Sequence, residues 1–412
     1  MAQYGKISFR IKQRVLQFIL RNKSVLAFGF ATSVLFLIMM LVEQANGRFW
    51  LNDFKVFYSA AQALISNEQV YGVAFGLDTG FYKYSPFTLL LFTPYTLLSY
   101  PLASSVHFWV IVVFSISLII LLTSFLTKNL FGQTKKAIFI YFAILICILN
   151  HLIRELHLGN TNIILLFILT LGLYYSIKKK SIYAGLFLGV AILTKPYFLI
   201  LALPFILYKK WNIILSTGIA ILGYIILSIL IFGYNEGINL YQDWIISMSN
   251  HSGYITSSNT ILSILDTYLS VSLPSYVGFV LLGLFSLLLF IMFLIRKLDA
   301  TKGLILFFFL LIASIPNFLI TDTEHFLFLI PIILTILNYL ILNEKYIGII
   351  PFIGLIFLYG GNSSDFLGSD LSTSFYNYGV LGISNILLIL WVLFIIFQKS
   401  NPLCIEKTVE ST

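Results

Sequence analysis

Apolar residues in this chain run in long, nearly unbroken stretches separated by short polar breaks, which is the pattern of helices surrounded by lipid or by other apolar helices. About 20 such residues cross a hydrocarbon core. Runs near that length lie at 24–43, 101–127, 137–153, 161–177, 212–232, 274–295, 303–320, 326–342, 345–360 and 377–397. Two other stretches differ. The 86–99 stretch is short and Pro-bounded, and predicts a re-entrant or partial span. The 182–207 stretch is interrupted at Thr194-Lys195-Pro196 and predicts a helix pair bent at Lys195, because proline disfavours helix both at its own position and at the residue before it. The expected fold class is an all-α polytopic membrane protein with about 10–13 transmembrane or re-entrant helices. It forms one integral membrane domain over 1–412, with a basic segment at 1–23, a long first loop at 44–85 and a tail at 398–412.

Composition agrees with the pattern: 59% of the 412 residues are apolar and only 10% carry charge. The 39 Phe and 24 Tyr suit lipid-facing helices and interfacial belts. The first apolar run is too long for a cleaved signal peptide and lacks a small-residue cleavage site, so it reads as a retained anchor. Cys147 lies in an apolar run and Cys404 in the tail, a placement that offers no structural disulfide.

The net charge of +9 acquires meaning from its distribution. With the N-terminus inside, 20 of the 25 Lys and Arg fall on one face, leaving Arg48, Lys55, Lys83 and Arg154 opposite and Lys195 within an apolar stretch. This is positive-inside asymmetry, and it predicts a plasma-membrane protein with both termini cytoplasmic. No basic run exceeds Lys178-Lys179-Lys180, so nucleic acid is not the expected partner. Twelve of the 16 acids lie on the outer loops or the adjoining helix ends, and a site there is expected.

The first outer loop reads Asn52-Asp53-Phe54-Lys55-Val56-Phe57-Tyr58, then Val70-Tyr71, then Phe81-Tyr82-Lys83-Tyr84-Ser85-Pro86. Asp53 follows the first span closely and sits beneath tyrosines that include Tyr58 and Tyr84. Two readings are open at this point: a helix N-cap, or a carboxylate at the membrane plane that acts on an amphiphilic substrate. In the 150–162 segment His151, Arg154 and His157 recur every three residues, so a helix would gather them on a broad cationic face suited to phosphate. The alternative is a wetted helix end with Arg154 paired to Glu155 or a lipid headgroup. Lys195 costs at least ~2.5 kcal/mol within a membrane segment. Snorkelling would relieve that cost, but Pro196 places the lysine at a turn far from Lys180 and Lys209, which favours an anionic partner at the site. Asn162, Asn250, Asn259, Glu324 and His325 stand at further outer helix boundaries. The spacing of the histidines matches no zinc motif.

In order and spacing these residues resemble glycosyltransferase family 87, the polyprenol-phosphate-mannose-dependent mannosyltransferases of the GT-C superfamily. The elements are Asp53 with the following Phe54, Tyr58 and Ala60-Ala61; Val70-Tyr71; Tyr84-x-Pro86-Phe87 with Pro94 and Trp109; Gly159-x-x-Asn162; Gly185-x-x-x-Gly189 to Lys195-Pro196 and Pro204; Lys209-Lys210-Trp211; and Pro316 to His325. The family's usual Gly-Gln-x-Asn appears here as Gly159-Asn160-Thr161-Asn162, and the tryptophan often found before the late histidine is absent. The family's Asn-Gln-Ser motif corresponds either to Asn250-His251-Ser252 or to Asn259-Thr260.

The resemblance implies a GT-C fold, a polyprenyl-phosphate-hexose donor and Asp53 as catalytic base. A phosphate leaving group departs without a proton, so one carboxylate suffices where a glycosidase needs two. Lys195, Arg154, His325 and His157 are the expected donor-phosphate ligands. Tyr58, Tyr84, His151, Asn162, Asn250, Asn259 and Glu324 are pocket candidates. The expected activity is inverting transfer of a hexose, mannose by the family pattern, to an extracytoplasmic glycolipid or glycan, without cofactor or metal. Its expected partners are the lipid-linked sugar donor, that acceptor and membrane lipids. A transporter or flippase for a lipid-linked or anionic solute would share the broken helices and intramembrane charge, but no internal inverted repeat is visible. The charge asymmetry makes a direct prediction: cysteines introduced at Asp78 and Ser363 label with an impermeant reagent from outside, and one at Lys179 does not. The reverse pattern would place every expected catalytic group in the cytoplasm.

Overall fold

The computed structural model describes residues 2–76, 80–132, 138–250, 258–296, 298–319, 322–361 and 363–398, with side chains from Asn22 onward except those at 249, 250 and 365. Among these residues the architecture is all-helical, with a lone antiparallel bridge between Ala74 and Phe81. Helix α1 covers Ala2–Ala45, with a break at Asn22 that separates its basic start from its membrane portion. Then follow α2 (Asn52–Ile65), α3 (Pro86–Phe92), α4 (Tyr100–Phe131), α5 (Ile138–Leu158), α6 (Asn162–Ile177), α7 (Ser181–Thr194), α8 (Ala202–Leu207) and α9 (Trp211–Phe232). The chain continues through α10 (Tyr234–Asn250), α11 (Ile261–Leu269), α12 (Tyr276–Arg296), α13 (Ala300–Phe318), α14 (Ile330–Leu342), α15 (Ile349–Gly360), α16 (Ser364–Leu367), α17 (Ser369–Asn377) and α18 (Val380–Phe397).

Eight helical segments of the described residues are long and apolar enough to cross a membrane, and four shorter apolar ones accompany them. The chain is a polytopic membrane protein. Helix α13 and the Thr323–Leu342 segment are almost wholly buried, whereas α1, α9 and α12 turn many large apolar side chains outward, as a lipid-facing rim does.

The two irregular stretches take the forms their sequences predict. Ser85 caps α3 by accepting from the Thr88 amide at 3.3 Å, and Pro86 occupies the first helical position, where its missing N–H costs nothing. With seven residues, followed by a 3₁₀ segment at Thr93–Leu97, α3 is too short to span. At Lys195 the backbone becomes extended (φ −135°, ψ 97°), the conformation that a following proline imposes, and a 3₁₀ segment at Pro196–Leu201 leads into α8.

Helix length sets the depth of this turn. The 32 residues of α4 rise about 48 Å, while the 16 of α6 and 14 of α7 rise about 24 and 21 Å. The α6–α7 hairpin has Lys178-Lys179-Lys180 at its tip, and at its other ends Asn162 and Lys195 are both buried. Helix α7 approaches α9 closely through Gly185 and Gly189, the small-x-x-x-small spacing that lets membrane helices touch at their backbones. A Cβ on Gly185 would stand 2.5 Å from the Ser216 backbone carbon, and one on Gly189 3.1 Å from the Ala220 Cβ. Gly185→Val is expected to destabilise the folded protein by about 1–3 kcal/mol through overpacking, read as a lower unfolding midpoint in detergent. Gly218, with open space where a Cβ would go, is the control. Equal midpoints for Gly185→Val and Gly218→Val would show that the α7–α9 contact yields.

Candidate active site

Asp53 lies in the first turn of α2, whose N-cap position is held by Leu51 in a left-handed conformation (φ 45°) without a side-chain cap. Asp53 therefore does not cap its own helix, although a carboxylate is favourable at this end of the helix dipole. What fixes this end of α2 is the close of α5. Gly159 turns left-handed (φ 68°), and a Cβ there would stand 2.8 Å from the Cβ of Phe54. Glycine is needed on both counts. The His107 ring stacks on Phe54 at 4.2 Å, with Nε2 3.1 Å from the Gly159 carbonyl oxygen and Nδ1 3.1 Å from the Tyr95 hydroxyl.

The three residues after Gly159 then distribute the polar contacts. Asn160 Nδ2 donates to Asp53 Oδ2 at 2.6 Å and more weakly to Glu324 Oε1 at 3.4 Å, while its Oδ1 accepts from the Thr161 amide at 2.7 Å. The Thr161 and Tyr84 hydroxyls are 3.2 Å apart. Asn162 Nδ2 donates to Glu155 Oε2 at 2.9 Å, and the Ile163 amide to Glu155 Oε1 at 3.0 Å, so a buried carboxylate one turn earlier caps the start of α6. Asn162 Oδ1 accepts from Lys195 Nζ at 2.6 Å. Lys195 Nζ also lies 2.8 Å from His325 Nε2. An ammonium only donates, so Nε2 is the acceptor and the imidazole is neutral with its proton on Nδ1. Arg154 Nε donates to Glu324 Oε2 at 3.2 Å, with Glu324 buried and Arg154 half exposed.

Charge and burial tune the carboxylate. Burial, and next the negative charge of Asp322, push Asp53 up to about 6, while Lys83, Lys195 and the Asn160 hydrogen bond oppose the rise. Burial lowers Lys83, with Asp53 and Asp322 resisting. Lys195 lies in the field of Glu155, Glu324, Asp53 and Asp322. A half-buried acid flanked by ammonium groups can accept a proton near neutral pH, and the ammonium groups can meet an anion. Among the described residues, no three His, Cys, Asp or Glu side chains gather as a metal site.

Of the residues that the sequence singles out, Asp53, Tyr84, Arg154, Asn162, Lys195, Glu324 and His325 come together here. Others go elsewhere. The Tyr58 hydroxyl donates to the Leu98 carbonyl at 2.8 Å inside the packing of α2. His151 Nε2 is 2.9 Å from the Tyr359 carbonyl oxygen, and His157 pairs with Glu43 of α1 at 3.4 Å. The three-residue spacing explains the spread. Each step of three falls about 60° short of a full turn, so His151 and His157 end about 120° apart. Arg154 pairs with Glu324 and not with Glu155, which turns toward Asn162. Asn259 Oδ1 accepts from the Gly382 amide at 3.2 Å and joins a seam between α11 and α18. The Asn250 side chain, with His251 and Ser252, lies outside the described residues. Sequence reasoning passed over Lys83, Glu155, Asn160, Thr161 and Asp322. The available signal was the polar density of 159–162 at a helix boundary, since a turn there must place each of its side chains against a neighbour.

Comparison with known proteins assigns a family. The profile of glycosyltransferase family 87 matches residues 81–321, more than half of the chain. The match takes in Tyr84, Arg154, Asn162 and Lys195, and leaves Asp53 and the Glu324-His325 pair outside it. An α-(1→3)-arabinofuranosyltransferase of Corynebacterium glutamicum is 30% identical over 162 residues, which are 39% of this chain and 38% of that protein. The similarity thus spans well under half of that relative's length.

Proposed function

The chain belongs to glycosyltransferase family 87, and on that premise we propose that it transfers a hexose from a polyprenyl-phosphate-linked donor to a glycolipid or glycan acceptor by inverting single displacement. The observation that carries this reading is the hydrogen-bonded network in which the Asp53 carboxylate and the Lys195–His325 pair occupy one recessed cluster. Mannose is the sugar suggested by the family pattern. The corynebacterial relative is named for arabinofuranosyl transfer, so a donor assay should offer both sugars. The asymmetry of basic residues supports an extracytoplasmic position for the site and cytoplasmic termini.

In this reading the acceptor hydroxyl oxygen attacks the anomeric carbon while Asp53 takes its proton. The bond from the anomeric carbon to the phosphate oxygen breaks on the opposite face, and its electron pair leaves with the phosphate. Lys195, as a charged donor, stabilises the negative charge on the departing group. Attack from the opposite face inverts the anomeric centre, and no covalent enzyme intermediate forms. The recess at the α6–α7 hairpin suits a donor whose phosphate lies at the membrane boundary and whose tail stays in lipid. The Asn160 amide donates to both Asp53 and Glu324 and so occupies the space between the two carboxylates where a bridging cation would sit. This supports a metal-independent reaction, to be checked with a chelator in the assay.

Three measurements test the proposal. Asp53→Asn keeps the size of the side chain but cannot take a proton. It is expected to bind donor nearly normally and to transfer sugar ~10² to 10⁴-fold more slowly. Wild-type transfer by this variant, folded in detergent, would eliminate Asp53 as base. The same group sets a pH dependence. Only the ionised carboxylate is a base, so turnover is expected to rise with pH through about 6 and level off above it, and to fall about tenfold per unit below it. Lys195→Met should weaken donor affinity at least ~10-fold, corresponding to a lost charge-assisted contact, while leaving that acid limb in the profile. Unchanged donor affinity would remove Lys195 from the phosphate site.

A further inference from the structure

We propose that Asn160 is a positioning residue for the transfer: its carboxamide holds one oxygen of Asp53, fixes the gap to Glu324, and leaves the other Asp53 oxygen to receive the acceptor proton. The inference rests on the proposed role of Asp53 as base. Its grounds are geometric. Asn160 Oδ1 accepts from the Thr161 amide at 2.7 Å, which fixes the carboxamide with its nitrogen toward the carboxylates. The nitrogen then has two donor hydrogens for two acceptors, Asp53 Oδ2 at 2.6 Å and Glu324 Oε1 at 3.4 Å. The shorter contact has the length of a charge-assisted bond. Asp53 Oδ1 takes no hydrogen bond from any described residue, so the two oxygens of the carboxylate are distinguished by their surroundings.

Asn160 has little freedom to do otherwise. It is buried and follows directly on the left-handed Gly159. Thr161, next in sequence, is engaged with Tyr84, and Asn162 with Glu155 and Lys195. The turn therefore presents three consecutive polar side chains to five partners, and the one facing the proposed base is an amide that can donate but does not titrate. The charged groups acting on Asp53 come from several elements: Lys83 from the loop before α3, Lys195 from the α7 break, and Asp322 and Glu324 from the turn before α14. Glu155 of α5 and the uncharged phenol of Tyr84 are the further titratable groups coupled to it. Burial, and next the Asp322 carboxylate, drive Asp53 toward its protonated form. Asn160 is the group that donates a hydrogen bond to it.

The test reads the Asp53 carboxyl directly, on the full chain in lipid nanodiscs, by infrared difference spectroscopy with ¹³C-labelled aspartate, using Asp53→Asn to assign the band. In the wild type the band should titrate with a midpoint of about 6. In Asn160→Ala the midpoint should rise by about one unit, and the acid limb of turnover should move with it while the KM for donor stays within about twofold. Asn160→Gln, which carries the amide on a longer arm and restores the family's usual residue, should bring the midpoint back toward the wild-type value. An unmoved midpoint in folded Asn160→Ala overturns the inference, whatever happens to turnover. If the alanine variant fails to fold, Asn160→Ser, whose hydroxyl is too short to hold both carboxylates, takes its place with the same criterion. The outcomes separate from those of the parent reading: wild-type transfer by Asp53→Asn sinks the base assignment, whereas an unshifted Asp53 titration in Asn160→Ala sinks the role of Asn160 alone.

Discussion

A lysine ammonium enclosed between apolar helices has to find acceptors, because its desolvation is too costly to leave uncompensated. Lys195 has that problem, and the surrounding architecture supplies the solution. Proline at 196 ends α7 and brings the lysine into an extended turn. There its Nζ meets an amide oxygen from the start of α6 and an imidazole nitrogen from the turn before α14, above the rings of Tyr84 and Phe328 at 6.0 and 5.9 Å. Four separate segments must arrive together for this to work. The almost complete burial of α13 and α14 keeps the His325 turn in place, and the Gly185 and Gly189 contacts with α9 hold the other arm of the hairpin. Glu155 anchors Asn162, so the acceptor for the lysine is itself held by a hydrogen bond to a buried carboxyl group.

The α5–α6 turn does for the carboxylate what the α7 break does for the cation. Gly159 permits both the left-handed backbone and the contact with Phe54 that brings the start of α2 against the end of α5. His107 then closes the gap from α4 through its stack on Phe54 and its contact with the Gly159 carbonyl. The backbone of Asp53 is thereby fixed by packing around its neighbours in sequence, and its side chain is held through one oxygen by Asn160. Asp53 sits on a short helix outside the spans and Lys195 on a buried turn between them. The site is consequently a junction of loop and membrane, as the proposed lipid-linked donor would require.

Much of this fold is legible in the sequence, because the requirement for long apolar runs is nearly a one-dimensional rule. The spans expected at 24–43 and 101–127 appear as Asn22–Ala45 and Tyr100–Phe131, and the break at Lys195 follows from a local steric effect of proline. The site is less legible, since membership depends on which way each side chain turns. His151, Arg154 and His157 looked like one face, yet the drift of a three-residue step sends them to Tyr359, Glu324 and Glu43. Tyr58 looked like part of a rim, but an aromatic side chain one turn into a buried helix packs inward. Asn160 was visible only as a departure from the usual glutamine of the motif. Its value lies in two contacts, more than a hundred residues away in each direction, which no local pattern encodes.

The presence of two carboxylates at the site invites a glycosidase-like division of labour, with Glu324 as acid beside Asp53 as base. The contacts argue otherwise. Glu324 accepts from Arg154 on one oxygen and from Asn160 on the other, so both its oxygens are engaged within the protein. A donor with an alkoxide leaving group would be poorly served by such a site, because that group needs protonation as it departs. A phosphate does not. It needs a nearby positive charge, and Lys195 beside a neutral His325 provides one without a proton transfer. The pairing of one available base with a fixed cation fits a leaving group that is already an anion. In that arrangement Glu324 holds Arg154 and Asn160 in place, and the proposed chemistry falls to Asp53, whose second oxygen accepts no hydrogen bond from the described residues.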